Sequence, residues 1–275
     1  MTRSVCGFSV RLYGPFCMMD EGRVIGGLAR GSTHDLCLYL LHSIGNTVRR
    51  DKLADMFWTG STQKSRASLS TALWRLNKHI RSTTPLEVMA TEEVVWVERN
   101  GPIEFDRDRL SASIARVRRS RDPSRRLDPD LREELESALS DCRGEYLEGC
   151  EMEWARSERE VAETLRLEAC RYLVEDARLG RRTNTAIRWV RAYLKLDPYH
   201  EGMHHALLEL LVESGQRSRA ILHYEELRRR LAGDLGVAPQ DETTELRNRL
   251  VSQSQLPTTT GPAGQAVRIE ALRSD

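Results

Sequence analysis

The feature that most constrains the fold is a change in the spacing of apolar residues near residue 110. Before it, short apolar segments alternate with turn residues and with segments of helical period. After it, apolar residues recur only at helical spacing. A chain of 275 residues is long enough for two domains, each with its own core. We therefore expect a mainly α protein with a small β component at its N-terminus.

The N-terminal segment predicts short strands. Phe8 to Tyr13 alternates apolar and polar residues and ends at Gly14-Pro15, which indicates a strand and a turn. A second strand is expected from Phe16 to Met19. Asp20-Glu21-Gly22 is typical of a hairpin turn before Val24-Ile25.

Three helices and a terminal hairpin follow. The first helix is expected from Thr33 to Ile44, capped by Ser32 or Thr33, and the second from Arg50 to Trp58. The polar run Thr59 to Gln63 breaks the pattern, so the third helix should begin near Ser65. Two apolar runs separated by acidic residues then predict a hairpin. This order is that of a winged helix-turn-helix. The hairpin runs are Leu86 to Met89 and Val94 to Val97.

The third helix has two contrasting faces. Apolar residues recur at spacings of four, three and four, which places Leu69, Leu73, Leu76 and Ile80 on one stripe. The opposite face is polar and cationic. It carries Arg66, Ser70, Thr71, Trp74, Arg75 and Lys78.

The charge of the chain is concentrated near this helix. The net charge is only +1, but residues 49–81 hold eight basic residues against two acids. A local basic field of this kind is expected of a surface that docks on phosphates.

The second half predicts stacked helical hairpins. Its candidate helices are joined by short turns such as Gly180-Arg181-Arg182 and Gly215-Gln216, a pattern typical of an α-helical repeat domain of the TPR type. The candidate helices run over 110–119, 130–142, 154–179, 183–196, 201–213 and 217–231. We expect Trp154 to anchor a core and the segment from Gln255 to Asp275 to be disordered.

Composition argues against several other classes. No apolar run reaches about 18 residues, and the start has no signal-peptide pattern, so a cytoplasmic protein without a membrane segment is expected. The six cysteines are scattered without a Cys-x-x-Cys pair, so we expect reduced thiols rather than disulfides or zinc. No phosphate-binding loop and no cofactor motif is present.

Several segments, taken in order, resemble one known family. The winged helix of the Streptomyces antibiotic regulatory proteins is resembled by three segments, Leu12-Tyr-Gly-Pro-Phe16, Arg49 to Trp58 and Ser65 to Leu76. Later segments resemble the bacterial transcriptional activator domain that follows it in that family. These are Tyr146-Leu-Glu-Gly149, Glu153-Trp-Ala155, Leu196 to Glu201, Gly215-Gln-Arg217, Ala220 to Tyr224 and Leu235-Gly-Val-Ala-Pro239. The family often has a Gly-Tyr pair in its wing, where this chain has Glu93-Val-Val-Trp96.

The resemblance implies an architecture and a function. It implies a winged helix over residues 1–105, an activator domain over 106–254 and a tail over 255–275. It also implies binding to double-stranded DNA at direct repeats upstream of promoters, two copies side by side, with recruitment of RNA polymerase and its sigma factor. Such a protein would control a biosynthetic gene cluster, lie at the nucleoid and need no cofactor.

The third helix is the expected DNA reader. We assign Ser70, Thr71, Trp74 and Arg75 to the major groove, with Arg75 the foremost candidate for a guanine contact. Phosphate contacts are assigned to four cationic residues. They are Arg49, Arg50, Arg66 and Lys78. Trp74 has two interpretations, since its indole could equally pack against the second helix.

Two other functions remain open at the level of sequence. The winged helix could have lost DNA binding and serve as a protein-docking scaffold. His200-Glu-Gly-Met-His204 has the spacing of a zinc metalloprotease motif. Chance occurrence is the better interpretation of that motif, because Gly202 weakens the helix and no third ligand is evident. We therefore predict a regulator rather than an enzyme, with no metal site.

Overall fold

The computed structural model describes residues 7–26, 28–120, 122 and 124–252. The chain forms two compact units that divide after Pro198. The predicted tail from Gln255 lies outside the described residues. Within these ranges, no helix is long and apolar enough to cross a membrane.

A four-stranded sheet opens the first unit. Its strands are β1 (Phe8–Arg11), β2 (Cys17–Asp20) and β3 (Arg23–Ile25), with β7 (Ile103–Phe105) at the far edge in the order β3-β2-β1-β7. The first three strands pair antiparallel, and β7 pairs parallel to β1. The sequence analysis missed β7 because three residues are too few to show an alternating pattern.

The three predicted helices and the hairpin are present. The helices are α1 (Ser32–His42), α2 (Arg50–Phe57) and α3 (Thr62–Thr83). The hairpin strands β5 (Leu86–Ala90) and β6 (Val94–Arg99) pair antiparallel, and β6 also pairs with the two-residue strand β4 (Val48–Arg49). This arrangement confirms a winged helix-turn-helix.

Several predicted boundaries were wrong by a few residues. The strand predicted to Tyr13 ends at Arg11, and α1 ends at His42 rather than Ile44. Gly31 holds the N-cap position of α1, so no side chain caps it. The helix α3 begins at Thr62, three residues before Ser65, because the polar run forms its first turn. Ser65 is buried there and donates its hydroxyl to the Trp58 carbonyl at 3.3 Å.

The apolar stripe of α3 forms the centre of the winged-helix core. Leu69, Leu73, Leu76 and Ile80 are each no more than 5 % exposed, as the helical spacing predicted. Burying a leucine or isoleucine side chain contributes about 1.5–3 kcal/mol, an upper figure because unfolded chains already bury some apolar surface. This burial fixes which face of α3 points outward.

Four helices complete the first unit. They are α4 (Asp106–Ser120), α5 (Pro129–Asp141), α6 (Glu153–Leu179) and α7 (Thr183–Leu196). The Asp128 carboxylate caps α5 by accepting from the amide of Asp130 at 3.0 Å, and Pro129 is pre-organised for the first helical position. The start of α4 was predicted four residues too late, at Leu110.

The winged helix and these helices share a backbone junction. The Gly14 amide donates to the Glu145 carbonyl at 2.8 Å, and the Leu147 amide donates to the Leu12 carbonyl at 2.7 Å. Gly14 has φ +78°, and a Cβ there would lie 2.2 Å from the Arg143 carbonyl oxygen. Only glycine permits so close an approach of the two backbones.

Aromatic side chains extend the same junction. Trp154 on α6 packs edge-on against Tyr39 of α1, with ring centroids 4.9 Å apart, and lies 5.7 Å from the His42 ring. Tyr13 and Tyr146 have centroids 5.0 Å apart. Trp154 is half-buried in this contact, in keeping with its predicted anchoring role.

The second unit contains three helices. They are α8 (Glu201–Glu213), α9 (Arg217–Arg230) and α10 (Asp241–Ser252), with one π-helical turn at Leu231–Leu235 after α9. The Tyr224 hydroxyl lies 3.0 Å from Thr244 Oγ1 and so ties α10 to α9. The sequence analysis did not predict α10, since this short segment contains few apolar residues.

The cysteines are reduced in the described residues. Cys37, Cys142, Cys150 and Cys170 are buried, and Cys17 is half-buried. Burial raises the pKa of Cys37 to about 12, so its thiol stays protonated and unreactive at neutral pH.

We predict that Asp106→Ala destabilises the first unit. Asp106 is 8 % exposed, and one carboxylate oxygen accepts from the amides of Leu12 and Tyr13, each at 2.9 Å. Burial raises the pKa of Asp106, and these donors oppose that shift. Each buried amide left without an acceptor costs about 1–3 kcal/mol, so the expected loss for the two amides is about 2–6 kcal/mol of unfolding free energy by chemical denaturation.

The control is the neighbouring exposed carboxylate. Glu104→Ala should change the unfolding free energy by less than about 0.5 kcal/mol. Asp106→Asn keeps one acceptor oxygen and should lose less than the alanine variant. Equal stability of the Asp106→Ala and Glu104→Ala proteins would contradict this account.

Candidate nucleic-acid interface

The helix α3 presents its polar face outward. It packs on α1, on α2 and on β5 through the buried stripe, which leaves the opposite side exposed. All eight residues predicted as the site lie in this region, seven of them exposed and Arg50 half-buried. Arg49 ends β4, Arg50 begins α2, and the other six lie on α3.

Arg50 connects three elements. Its backbone amide donates to the Glu93 carbonyl at 2.8 Å. Its guanidinium donates to Ser70 Oγ at 2.7 Å and to the Thr91 carbonyl at 3.5 Å. Arg50 is therefore held between α3 and the turn of the hairpin.

Arg66 has an acidic partner. Its guanidinium donates twice to one Asp51 oxygen, at 2.8 and 3.0 Å, and thereby links α3 to α2. Both side chains are about half exposed. An exposed pair of this kind contributes at most about 1 kcal/mol, so a competing anion can displace the carboxylate.

The two hydroxyl groups make hydrogen bonds within α3. Ser70 donates to the Arg66 carbonyl at 2.9 Å, and Thr71 donates to the Ala67 carbonyl at 3.0 Å. Ser70 also accepts from Arg50, so its hydrogen and one lone pair are engaged. Thr71 keeps its acceptor capacity and its methyl group toward solvent.

Trp74 lies in the middle of the exposed face. It is 64 % exposed, so it does not pack into the helical core, and the Lys78 ammonium lies 5.3 Å from its ring centroid. Arg75 is the next residue and is also exposed. Among the described residues, neither Arg49 nor Arg75 takes part in an ion pair.

An open groove of about 700 Å³ runs between α3 and the hairpin. Asn77 closes part of it, because its Oδ1 accepts from the Val88 amide at 3.0 Å on the outer edge of β5. Arg81 also lines the groove and pairs with Glu87 at 3.3 Å. The sequence analysis did not assign Asn77 or Arg81 to the site, although both follow Trp74 at helical spacing. The full lining is Arg50, Ser70, Leu73, Trp74, Asn77, Lys78, Arg81, Glu87, Val88, Met89 and Ala90.

The turn of the hairpin is acidic. Glu92 and Glu93 are exposed there, and the Thr91 hydroxyl accepts from the amides of Glu93 and Val94 at 3.3 and 3.2 Å. The region that a winged helix extends toward DNA therefore carries negative charge in this chain.

The histidines of the protease-like motif have structural contacts in the second unit. His200 precedes α8, and its Nδ1 accepts from the Met203 amide at 3.2 Å as an N-cap. His204 is buried and its Nδ1 lies 2.8 Å from His223 Nε2. Over the part of the chain that is described, no group of three or more metal-ligating side chains comes together.

Comparison with known families decides the class of protein. The model of the bacterial transcriptional activator domain matches residues 106–251, more than half of the chain. The chain belongs to this family. This match supports the predicted resemblance to transcriptional activators of the Streptomyces antibiotic regulatory protein type, and the family is one of regulators rather than an enzyme class. The match spans both compact units, and the domain boundaries at residues 105 and 254 remain predictions.

A solved structure supports the fold of this activator. Mycobacterium tuberculosis EmbR, in complex with a low-affinity phosphopeptide, is similar with a TM-score of 0.64 at 20 % sequence identity. The match covers 91 % of this chain, which spans 66 % of the length of that protein. At this identity the likeness shows the fold alone. No curated protein sequence matches the chain.

We predict that Asn77→Ala loosens the hairpin. Without the Asn77 acceptor, the Val88 amide on an edge strand is left to solvent, which costs about 0.5–1.5 kcal/mol. Hydrogen exchange of the Val88 amide should accelerate to the extent that this loss of free energy favours opening of the hairpin. Asn100→Ala is the control, since the Asn100 side chain makes an exposed contact to Glu87 at 3.4 Å and its backbone bond to Pro85 is kept in the variant. Unchanged exchange at Val88 in the Asn77 variant would show that the contact does not hold the hairpin.

Proposed function

We propose that this activator binds DNA sequence-specifically by laying α3 in the major groove. The observation that carries the proposal is the division of α3 into a buried apolar stripe and an exposed cationic face. The stripe prevents rotation of the helix, so the same side chains always face outward. A major groove about 12 Å wide admits one such helix.

Arg75 is the proposed base reader. Its guanidinium is exposed, has no ion pair among the described residues, and lies next to Trp74 on the outward face. An arginine in this position can donate two hydrogen bonds to the O6 and N7 atoms of guanine. Thr71 and Ser70, one turn earlier, supply weaker polar contacts.

The proposed phosphate contacts that need no rearrangement are Lys78 on α3 and Arg49 at the end of β4, since both are exposed. The Asp51 carboxylate competes with phosphate for Arg66, so the Arg66 contact is weak while this pair is intact. Arg50 is already held by Ser70, so its contribution is to position α3 as well as to add charge.

The hairpin has a different part in this proposal. The exposed carboxylates of Glu92 and Glu93 would repel phosphates at short range, which disfavours insertion of the turn into a minor groove. The groove between α3 and β5 is instead lined by Lys78 and Arg81. We infer that one DNA backbone strand passes the end of that groove at Lys78 and Arg81.

The family membership supports the wider proposal. We propose that two copies bind direct repeats upstream of a promoter, that the helical domain contacts RNA polymerase and its sigma factor, and that the target is a biosynthetic gene cluster. Helical hairpins offer extended surfaces and no chemistry of their own, which suits a recruiting domain without a cofactor. The alternative is an interaction scaffold that has lost DNA binding, and the acidic hairpin turn is the observation in its favour.

We predict that Arg75→Ala and Lys78→Ala weaken DNA binding in different ways. Loss of a bidentate guanine contact should cost about 1–3 kcal/mol on the preferred duplex and little on random duplex. Loss of Lys78 should weaken both duplexes alike, because a phosphate contact carries no sequence information. Titration of each variant by fluorescence anisotropy on a selected and a scrambled duplex measures the difference. Equal losses on both duplexes for Arg75→Ala would remove its reading role.

We predict that Asp51→Asn strengthens binding and steepens its salt dependence. The change frees Arg66 for a phosphate, so the slope of log affinity against log salt should increase in magnitude by about one. Asp55→Asn removes the same charge one helical turn further along α2, where the carboxylate is exposed, and should leave the slope nearer to the wild-type value. A protein with no duplex affinity at low salt would instead be the scaffold.

A further inference from the structure

We propose that Trp74 reads the C5-methyl group of a thymine in the major groove. This inference rests on the proposed function and adds to it the identity of one base. It starts from the exposure of Trp74, which is 64 % exposed, whereas the other four tryptophans are half-buried or buried. A large apolar surface left in water at the centre of a polar face indicates a contact that forms on binding.

The position of Trp74 limits what it can meet. It lies one turn after Ser70 and Thr71, one turn before Lys78 and next to Arg75. Helical geometry therefore places it between the groups proposed for base edges and the one proposed for phosphate. A residue at the centre of the face points toward the floor of the groove rather than its rim.

Lys78 fixes the ring in this position. Its ammonium lies 5.3 Å from the indole centroid, within the range of a cation–π interaction, and covers one side of the ring. The residue as a whole stays 64 % exposed. Lys78 can hold the indole in this way and still direct its charge toward a phosphate.

The chemistry of the groove supplies one matching partner. Base edges there present hydrogen-bond donors and acceptors, and the thymine C5-methyl is their apolar group. An indole packed on that methyl removes apolar surface of both partners from water. Because Arg75 is the next residue, the thymine should lie within one or two base pairs of the guanine that Arg75 reads.

The experiment removes the methyl group alone. The full-length protein selects its preferred duplex from a library with a randomised centre, and each thymine is then replaced in turn by deoxyuridine. At one position, wild-type affinity should fall about fourfold, the equivalent of exposing one methyl group to water. Trp74→Ala should bind the thymine and deoxyuridine duplexes equally, and Trp74→Phe should retain part of the difference.

The controls distinguish a failure of the thymine contact from a failure of DNA binding itself. Val24→Ala removes another exposed apolar side chain, on β3, and should keep the full methyl effect. Equal wild-type affinity for every deoxyuridine duplex overturns the thymine contact and leaves the proposed DNA binding intact. A methyl effect that persists in Trp74→Ala assigns it to another residue and also overturns the inference. Failure to select any duplex overturns both proposals together, and the wild-type comparison needs no variant to fold.

Discussion

The burial of four branched side chains along α3 is the constraint on which the proposed interface depends. A helix with a single apolar stripe can dock in one rotational setting, and α1, α2 and β5 together fill the space around Leu69, Leu73, Leu76 and Ile80. Turning α3 by one residue would expose leucine side chains and bury charged ones. The free-energy cost of that change is far larger than the stabilisation that a surface contact provides. The direction of Trp74 and Arg75 is therefore a consequence of core packing and not of the polar contacts around them.

A second constraint joins the winged helix to the helices that follow it. Residues 12–14 pair with residues 145–147, Asp106 accepts the two buried amides at the end of β1, and Trp154 packs on Tyr39. These contacts explain why the first compact unit extends to Pro198 and does not end with β7. A domain boundary drawn between residues 105 and 106 would cut through the Asp106 contacts. Family boundaries follow sequence similarity, whereas the units of folding follow buried contacts.

The sequence predicted most of this fold where a pattern was long enough to be periodic. The stripe of α3 and the bounds of α7 and α8 follow from 3.6-residue spacing, and the hairpin follows from two apolar runs around a turn. The strand β7 was not predicted because three residues are too few to show an alternating pattern, and α10 was not predicted because few of its residues are apolar. Helix starts were misplaced where no side-chain cap marks them, as at Gly31 before α1, and where the first helical residue contacts a distant strand end, as Asp106 of α4 does.

The site was predicted only as a set of residues on one face, because hydrogen-bond partners depend on neighbours distant in sequence. The structure divides that set into two groups. Arg50 and Arg66 are held by Ser70 and Asp51, whereas Arg75 and Trp74 lie exposed without such restraint. Restrained cations lose less side-chain entropy when they meet a phosphate, but each must give up or share a partner, so their net contribution is small. In the proposed complex, Arg75 makes all its hydrogen bonds on binding and Trp74 keeps only its contact with Lys78, so differences between DNA sequences should act mainly through these two residues.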